Sequence, residues 1–457
     1  MSDFPWMSAA AMAEAIRSRR LGPVEITQAY LDRIDRLNPQ FHAYVSVYPD
    51  QALQAARVAE AAVARGDSLG PLHGVPLAIK DLFLVTGMMR TCGSKLVREK
   101  VSPVDAASVA ALREAGAIFL GMANLHEFAF GPTGINPHFG TALNPWDATK
   151  VCGGSSSGSG CAVAAGLGAG AMGTDTGGSV RLPAALCGIV GLKPTHLRIS
   201  QDGIYPLVGE FDTGGPMARC VEDIAVMMAA LDPAGGFDHY APAVSLAKVR
   251  IGVPEALFES DVHPEICAAM RGALDAMETL GASVEFVTLD FADNALRAWN
   301  TIALGRVYAL HGERASAVNS KLSPDVRDRI RAGRHITRDQ INEALTVRKT
   351  VHVEMTDVME MYDVLALPTV PLPAVNAADG RGDLDGRRID GAAVLGRLTR
   401  LASFTGQPAL SLPWAQTAMR LPIGLQMIGR WNADEQLLEL AGALEAAGGW
   451  KFLHPEI

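Results

Sequence analysis

The amino-acid sequence predicts an α/β fold in one large domain, with helices on both faces of a sheet. Three observations lead to this prediction. Short apolar runs of strand length alternate with amphipathic helical patterns along the chain, which is typical of βαβ units. The 457 residues are 49% hydrophobic and 19% charged, so the chain can bury a large core. Neither a linker-like stretch nor an internal repeat interrupts the sequence, which favours a single domain over residues 1–457.

The alternation begins near the N-terminus. From Ala9 to Leu37 apolar residues recur every three or four positions, apart from a break at Gly22-Pro23, which predicts an interrupted helix. The apolar run VPLAI after Gly74 predicts a buried strand that ends at Lys80. The later elements continue the pattern: helices at 52–65, 104–116 and 263–280, strands at 117–123, 249–254, 283–289 and 363–367, and a final strand and helix within 423–446.

Two segments depart from this alternation. Residues 295–362 are mostly helical by pattern and charge, and we expect them either to cover a site or to form the outer layer. Residues 377–386, AADGRGDLDG, are rich in glycine and aspartate. That composition predicts a mobile surface loop.

Composition excludes several classes of protein. The 40 basic and 49 acidic residues give a net charge of −9, which argues against binding to nucleic-acid phosphates. The first ten residues, MSDFPWMSAA, have no basic start followed by an apolar stretch. The longest apolar run, residues 161–172, is about a dozen residues long, whereas a bilayer span needs about 20. We therefore expect a soluble cytoplasmic protein with no nucleic-acid or membrane partner.

The cysteines and histidines predict no metal site. None of the six cysteines forms C-x-x-C, and the eleven histidines show no ligand-like spacing such as H-E-x-x-H. The cysteines are typical of small buried side chains in a reducing compartment. We expect neither a metal nor an organic cofactor.

The most informative stretch is rich in glycine and serine and runs from Cys152 to Thr195. Its TDTGGSV segment places two glycines before a serine, which allows backbone N–H groups to converge on one point. Such groups can bind the charge that develops on a carbonyl oxygen, so Ser179 is a candidate nucleophile and residues 176–179 are a candidate oxyanion hole. The alternative is a tight glycine turn that offers neither a nucleophile nor hydrogen-bond donors to a ligand.

A serine nucleophile needs a base, and the candidate is a lysine. Lys80 ends the apolar run GVPLAIK, which would carry its ammonium group into a dry interior. Burial lowers a lysine pKa from about 10.4 and so makes the amine a usable base. The alternative is a structural lysine that reaches solvent or pairs with Asp81.

Four motifs together resemble the amidase signature family. GGSSSG at 153–158 and GTDTGGSVR at 173–181 match its two glycine-serine motifs, GIVGLKPT at 188–195 matches the continuation, and GVPLAIKD at 74–81 is similar to its lysine motif. The intervals of 75 residues from Lys80 to Ser155 and 24 from Ser155 to Ser179 are typical of that family. The resemblance extends from about Gly74 to Gly429.

The resemblance implies a fold, a catalytic triad and an oxyanion hole. The fold would be a three-layer α/β/α domain with a mixed sheet and a signature core at residues 70–235. Ser179 would attack the amide carbonyl, Ser155 on a cis peptide bond would relay the proton, and neutral Lys80 would be the final base. The oxyanion hole would use the N–H groups of Thr176, Gly177, Gly178 and Ser179, with support from Ser156, Thr174, Asp175 and Arg181.

The function that this resemblance implies is hydrolysis of the C–N bond in a small or medium carboxylic amide, without a cofactor, by a homodimer. The pocket is expected to be formed by residues 122–146, 203–211 and 295–362. These segments are mostly apolar, so an apolar or aromatic acyl group is expected to fit better than an acidic one. Five polar side chains in this region are candidates for contact with the substrate, and the alternative for each is a structural role: His126, His138, Tyr205, Arg306 and Tyr308.

Other functions stay open. GSSSG at 154–158 also fits the nucleophile elbow of α/β-hydrolases, with Ser156 as the nucleophile. The chain could instead be the glutaminase-type subunit of a tRNA amidotransferase, but FAFGPTGINPHFG after Glu127 differs from the stretch typical of such proteins. Esters and carbamates are hydrolysed by the same chemistry. A catalytically silent scaffold is the alternative outside enzymes.

Overall fold

The computed structural model of the protein describes residues 4–97, 101–232, 235–243, 245–259, 261–448, 450 and 453–457. The sequence-based statement about the N-terminal ten residues therefore lies partly outside the described residues. Across the part that is described, the chain builds one extended sheet, two short hairpins and the helices that cover the sheet.

Fifteen strands are present in the described residues, most of them four to six residues long. They are β1 Tyr44–Val47, β2 Pro76–Lys80, β3 Ile118–Ala123, β4 Leu143–Asn144, β5 Asp147–Val151, β6 Gly170–Asp175, β7 Val190–Lys193, β8 Thr213–Ala218, β9 Arg250–Pro254, β10 Ser283–Val287, β11 Val364–Pro368, β12 Arg381–Leu384, β13 Arg387–Asp390, β14 Ala409–Gln416 and β15 Pro422–Gly429.

The α-helices alternate with these strands. In the described residues they are α1 Ala9–Arg17, α2 Pro23–Phe41, α3 Pro49–Arg65, α4 Ala107–Glu114, α5 Ser157–Ala164, α6 Arg181–Cys187, α7 Val221–Leu231, α8 Glu255–Glu259, α9 Pro264–Thr279, α10 Ala292–Ser316, α11 Pro324–Ala332, α12 Arg338–Met361, α13 Gly391–Val394, α14 Arg400–Thr405 and α15 Asp434–Ala447.

The main sheet has eleven strands in the order β1-β3-β2-β6-β8-β7-β14-β15-β11-β9-β10. Strands β3, β2 and β6 are parallel, as are β11, β9 and β10, whereas the strands between these two groups pair antiparallel. The predicted α/β class with a mixed sheet and flanking helices is therefore confirmed. Parallel strands β2 and β6 end at the same edge, which brings Lys80 and Asp175 to one region of the sheet.

The small residues of α5 allow that helix to pack against its neighbours at very short range. Every side chain of α5 is buried. A Cβ atom added at Gly158 would overlap the backbone of Asn124, so only glycine fits at this contact. Glycine in a helix costs about 1 kcal/mol relative to alanine, and the close approach explains why it is kept here.

The structure corrects one prediction about the chain. Part of the expected surface loop 377–386 is ordered as β12, which pairs antiparallel with β13. Alternating side chains there point to opposite faces, and Leu384 is buried while its neighbours are exposed. Glycine-rich composition favoured a loop because it also suits the turn between two strands. Within the described residues, no helix combines the length and apolarity that crossing a bilayer requires.

Candidate active site

Lys80 is the last residue of β2 and is completely buried. Its ammonium nitrogen donates hydrogen bonds to three hydroxyl oxygens: Ser155 Oγ at 2.8 Å, Ser156 Oγ at 2.9 Å and Thr174 Oγ1 at 2.7 Å. The sequence-predicted lysine, the predicted proton relay and two of the predicted supporting residues therefore meet at one point. Hydroxyl groups solvate the nitrogen without supplying a compensating negative charge.

This environment favours the neutral amine of Lys80 more than water does. Burial lowers the pKa of Lys80 to about 7, and the carboxylates of Asp175 and Asp212 raise it only in part. The alternative ion pair with Asp81 is not formed, because that carboxylate instead accepts hydrogen bonds from the backbone and hydroxyl of Thr91. Burial raises the pKa of Asp81 to about 7.

Ser155 lies in a loop whose backbone is fixed on both sides. The peptide bond between Gly154 and Ser155 is cis, as the family resemblance implied. The Gly154 N–H donates to the carbonyl of Pro132 at 2.7 Å, and the Ser155 carbonyl accepts from the N–H of His126 at 3.0 Å. The side chain of Ser155 is completely buried beside Lys80.

The second glycine-serine loop is organised by a buried ion pair. Asp175, at the end of β6, accepts from two nitrogens of Arg181 at 3.0 and 2.8 Å, and both side chains are completely buried. Asp175 also accepts from the N–H groups of Gly178 at 2.8 Å and Val180 at 3.2 Å. Burial raises the pKa of Asp175, but Arg181 outweighs this effect and holds it at about 2. A permanent carboxylate therefore shapes the turn that carries Ser179.

The arrangement of carbonyl groups in this turn determines where its N–H groups point. Trp299 Nε1 donates to the Thr176 carbonyl at 3.3 Å, and Thr399 Oγ1 donates to the Gly177 carbonyl at 2.7 Å. Among the described residues, the N–H groups of Thr176, Gly177 and Ser179 have no acceptor. These three donors are available to a ligand.

Gly178 differs from the sequence-based expectation. Its N–H donates to Asp175 Oδ1, so it is already satisfied and is not free for an oxyanion. The reason is geometric: a trans peptide unit points its C=O and N–H in opposite directions, and the Gly177 carbonyl is held by Thr399. Gly178 instead supplies a backbone conformation with φ of +122°, which favours glycine.

Ser179 opens onto a small cavity of about 50 Å³. Its hydroxyl has no hydrogen-bond partner within the described ranges of the chain. Most of the cavity wall is apolar or backbone, but two arginine side chains also line it. The lining residues are Ala129, Phe130, Gly131, Pro132, Thr176, Gly177, Ser179, Leu182, Leu207, Val208, Trp299, Ala303, Arg329, Gly396 and Arg400.

The polar side chains that sequence analysis singled out around the pocket do not line this cavity. His126 Nε2 lies 3.2 Å from Asp325 Oδ2, and His138 Nε2 lies 3.0 Å from Glu127 Oε1. The other three lie elsewhere: the Tyr205 hydroxyl accepts from Arg314, Arg306 pairs with Glu210, and the Tyr308 side chain fills the space where a Cβ atom at Gly312 or Gly333 would lie. Their predicted structural alternative is the one that the geometry favours.

Three site residues were not predicted individually. Trp299 and Arg329 lie within the helical segment 295–362, which the sequence analysis expected as a whole to contribute to the pocket without naming these two residues. Arg400 begins α14 and carried no sequence signal at all. The expectation that an apolar or aromatic acyl group fits best rested on the mostly apolar segments around the site, and the cavity wall adds these two arginines to that apolar lining.

Ser156 is badly placed for the alternative role of nucleophile. Its hydroxyl accepts from Lys80 and donates to the Thr174 carbonyl at 3.2 Å. The side chain is completely buried and does not line the cavity at Ser179. A nucleophile must reach the reacting carbonyl, so the geometry favours Ser179 over Ser156.

A family model described as amidase matches residues 25–438 of the chain. The chain belongs to the amidase signature family. It is therefore a hydrolase that acts on amide C–N bonds. Among described residues there is no group of three or more His, Cys, Asp or Glu side chains that could hold a metal ion.

Individual relatives cover nearly the full length of this amidase family member. The chain is 36% identical to a subunit of the glutamyl-tRNA(Gln) amidotransferase from Aromatoleum aromaticum, over 97% of each chain. A crystal structure of an amidase matches with a TM-score of 0.90 at 32% identity, covering 97% of this chain and 100% of that one. The native peptide amidase of Stenotrophomonas maltophilia matches with a TM-score of 0.82 at 28% identity, over 99% of each chain.

Proposed function

We propose that the protein is an amidohydrolase that cleaves a small or medium carboxylic amide through an acyl-enzyme on Ser179. Ser155 relays the proton and Lys80 is the final base. The single observation that carries this proposal is the 2.8 Å hydrogen bond between Lys80 Nζ and Ser155 Oγ in a buried site beside the cavity of Ser179. A lysine with a pKa of about 7 is neutral often enough to accept a proton at physiological pH.

Acylation begins when Ser179 Oγ attacks the amide carbonyl carbon. The proton of Ser179 passes to Ser155 Oγ while the proton of Ser155 passes to neutral Lys80. The negative charge on the carbonyl oxygen is bound by the available N–H groups of Thr176, Gly177 and Ser179. The reverse relay then protonates the leaving nitrogen, the C–N bond breaks, and ammonia or an amine departs.

Deacylation repeats the same steps with water. Water enters the cavity, gives its proton to the Ser155–Lys80 relay and attacks the acyl carbon. The relay then returns this proton to Ser179 Oγ as the C–O bond to Ser179 breaks, so that the carboxylic acid leaves and Lys80 is neutral again. Esters and carbamates carry the same reacting carbonyl, so the site permits their hydrolysis as well.

The test is covalent labelling with a fluorophosphonate, followed by location of the adduct by peptide mass spectrometry. We expect the adduct on Ser179, and we expect labelling to be lost in Ser179→Ala and reduced at least about a hundredfold in Lys80→Met. Ser156→Ala is the matched control, because it removes a neighbouring hydroxyl and should leave the adduct on Ser179. An adduct on Ser156 in the unmodified protein would establish the elbow mechanism and overturn the proposal.

The second candidate is a glutaminase-type subunit of a tRNA amidotransferase. The chain is 36% identical to one such protein over nearly its whole length, which supports this alternative. Rapid release of ammonia from simple amides by the purified chain would favour the independent amidohydrolase. Turnover of glutamine only after a partner is added would favour the amidotransferase. Light scattering of the same sample tests whether the chain is the homodimer that we propose.

A further inference from the structure

The end of β6 is flanked by two side chains of opposite charge type. Strand β2, which ends at Lys80, is its parallel neighbour on one side, and β8, which begins at Thr213, is its antiparallel neighbour on the other. The register pairs Asp175 with Thr213, so Asp212 lies beside the loop that follows β6. Lys80 and Asp212 therefore approach the same strand end from opposite sides.

Two threonines connect these side chains to the end of β6. Lys80 Nζ donates to Thr174 Oγ1 at 2.7 Å, and Thr176 Oγ1 donates to Asp212 Oδ1 at 2.6 Å. Side chains two residues apart along a strand point to the same face, which places both hydroxyls on one side of β6. Thr176 also carries one of the N–H groups that are available to an oxyanion. Asp212 therefore holds a residue of the oxyanion hole directly.

Asp212 also holds one wall of the Ser179 cavity. Its second carboxylate oxygen accepts from the N–H groups of Leu207 at 2.8 Å and Val208 at 2.9 Å, and both of these residues line the cavity. The carboxylate thus links the cavity wall to the oxyanion loop through three hydrogen bonds. Two of the donors are backbone N–H groups, which cannot accept a proton from the acid and so favour its ionised form.

The charge of Asp212 has no cation of its own. The side chain is partly buried, and among the described residues it belongs to no ion pair. Burial lowers the pKa of Lys80 to about 7, and two carboxylates oppose this effect, Asp175 first and Asp212 second. Asp175 is already paired with Arg181 at 2.8 Å. Asp212 is therefore a carboxylate near Lys80 whose charge the described chain leaves uncompensated.

The proposed reaction needs such a charge at one step. When Ser179 attacks, the relay delivers a proton to Lys80, and the amine becomes an ammonium group among hydroxyl groups that carry no charge. A carboxylate across β6 stabilises this ammonium group while it exists. Because the carboxylate forms no direct ion pair with Lys80, the resting amine still loses its proton near neutral pH.

We propose that Asp212 is a positioning residue for acylation, which orients Thr176 in the oxyanion hole and supplies the counter-charge for the ammonium group that forms on Lys80. The inference rests on the proposed amidohydrolase function and adds a residue to that site beyond the triad. The two effects can be separated by experiment, because the first depends on the threonine hydroxyl and the second on the charge of the carboxylate.

The counter-charge is tested by the pH dependence of fluorophosphonate labelling in Asp212→Asn. Asparagine keeps the shape, since its oxygen can accept from the two backbone N–H groups while its NH2 group donates to the threonine oxygen. Loss of the carboxylate should move the labelling midpoint to lower pH by at least about half a pH unit. The plateau rate at high pH should fall at least about threefold, because a weaker base accepts the proton less readily. A purely structural role would not move the midpoint.

Asp223→Asn is the matched control for loss of a carboxylate. Asp223 is buried on α7, belongs to no ion pair among the described residues and accepts from the N–H of Ala10 on α1. Its replacement should leave the labelling midpoint in place. A midpoint that moves equally in the two variants would overturn the assignment to Asp212.

Other ionisable groups near the pair are constant or can be controlled. His196, which bonds the backbone of Asp212, has its pKa lowered to about 4 by burial and then by nearby cations, so it stays neutral above pH 5. Asp81 and Lys193 have pKa values of about 7, so the Asp212→Asn change is also made in Asp81→Asn and in Lys193→Met. The same downward movement in both backgrounds would assign the titration to Lys80.

The orientation of the oxyanion hole is tested by Thr176→Val, which removes the hydroxyl and keeps the shape of the side chain. The plateau labelling rate should fall at least about tenfold, because an oxyanion donor is no longer held in place, while the midpoint stays near that of the unmodified protein. Thr213→Val is the matched control, since its hydroxyl donates only to the Phe211 carbonyl at 3.2 Å. Equal plateau rates in Thr176→Val and the unmodified protein would overturn the orienting role.

A second measurement of the counter-charge needs no reaction. The free energy of unfolding is compared with that of Lys80→Met at each pH, so that groups common to both proteins cancel. Between the folded and unfolded pKa values of Lys80 only the unfolded chain binds the proton, so the unmodified protein should gain stability relative to Lys80→Met from about pH 7 to about pH 10. When both proteins also carry Asp212→Asn, this gain should begin at lower pH.

The two measurements separate failure of this inference from failure of the proposed function. If the unmodified protein is not labelled at Ser179, the amidohydrolase proposal fails, whereas an earlier gain of stability in the Asp212→Asn pair would still support the counter-charge. If labelling occurs normally, but neither the midpoint nor the onset of the stability gain moves in Asp212→Asn, the counter-charge is refuted and the amidohydrolase proposal stands.

Discussion

The pKa of Lys80 makes a quantitative prediction about pH. The proposed relay needs neutral Lys80, and protonation of a buried amine that has only hydroxyl partners is disfavoured. The protein with neutral Lys80, which is the active form, therefore increases in population as the pH rises through the pKa and is lost as the pH falls below it. The rate constant for reaction of Ser179 with a fluorophosphonate should therefore increase with pH and level off above about pH 8.

The magnitude follows from the pKa of about 7 against an ordinary value of 10.5. At pH 7 about half of the Lys80 population is neutral, whereas an ordinary lysine would be neutral in only about one molecule in three thousand. Burial therefore raises the population of usable base by about a thousandfold. Below the pKa, labelling should become about tenfold slower for each pH unit, reaching about a hundredth of the plateau at pH 5.

The assay is the second-order labelling rate from pH 5 to 10, which avoids titration of any substrate. Two other buried groups, Asp81 and Lys193, have pKa values shifted to about 7. The variants Asp81→Asn and Lys193→Met are therefore run beside the unmodified protein, and both should keep the midpoint. A midpoint that disappears in either control would assign the titration to that residue. A rate that is flat down to pH 5, or still rising at pH 9, would refute the reasoning about Lys80.

Two further predictions concern the turn before Ser179. Gly178→Ala should reduce the labelling rate at least about tenfold. A Cβ atom there would overlap a neighbouring threonine hydroxyl, and a positive φ costs a residue other than glycine about 1–3 kcal/mol. The control Gly209→Ala, whose Cβ atom would meet open space, should leave the labelling rate unchanged. Asp175→Asn should lower the free energy of unfolding by about 3–5 kcal/mol in urea titrations, since Arg181 is left buried without its counter-charge. Asp67→Asn, which breaks an exposed pair, should change it by at most about 1 kcal/mol, and equal losses in the two variants would contradict this account.

The strands and the positions of the proposed reacting groups could be predicted because their signals are local in sequence. An apolar run of five residues that ends in lysine predicts a buried strand and a lysine whose charged form is unfavourable to bury. Lys80 is buried, as expected. The glycines around Ser179 indicate unusual backbone geometry for the same reason. The N–H of Gly178 was assigned to the wrong partner, because its direction depends on Thr399, which is more than 200 residues away.

Recognition of the substrate could not be predicted in the same way, because it depends on side chains that only the fold brings together. Arg329 and Arg400 are ordinary surface-type residues by sequence, and their significance lies in what surrounds them: aromatic rings and no ion-pair partner among the described residues. The proposed reacting groups, Lys80, Ser155 and Ser179, lie at a strand end and in loops, whereas these arginines belong to α11 and α14. This separation implies that changes in the arginines should alter which amide is accepted while leaving the pH midpoint of Ser179 labelling in place. A shifted midpoint in Arg400→Met would mean that the two sets of residues act as one electrostatic unit.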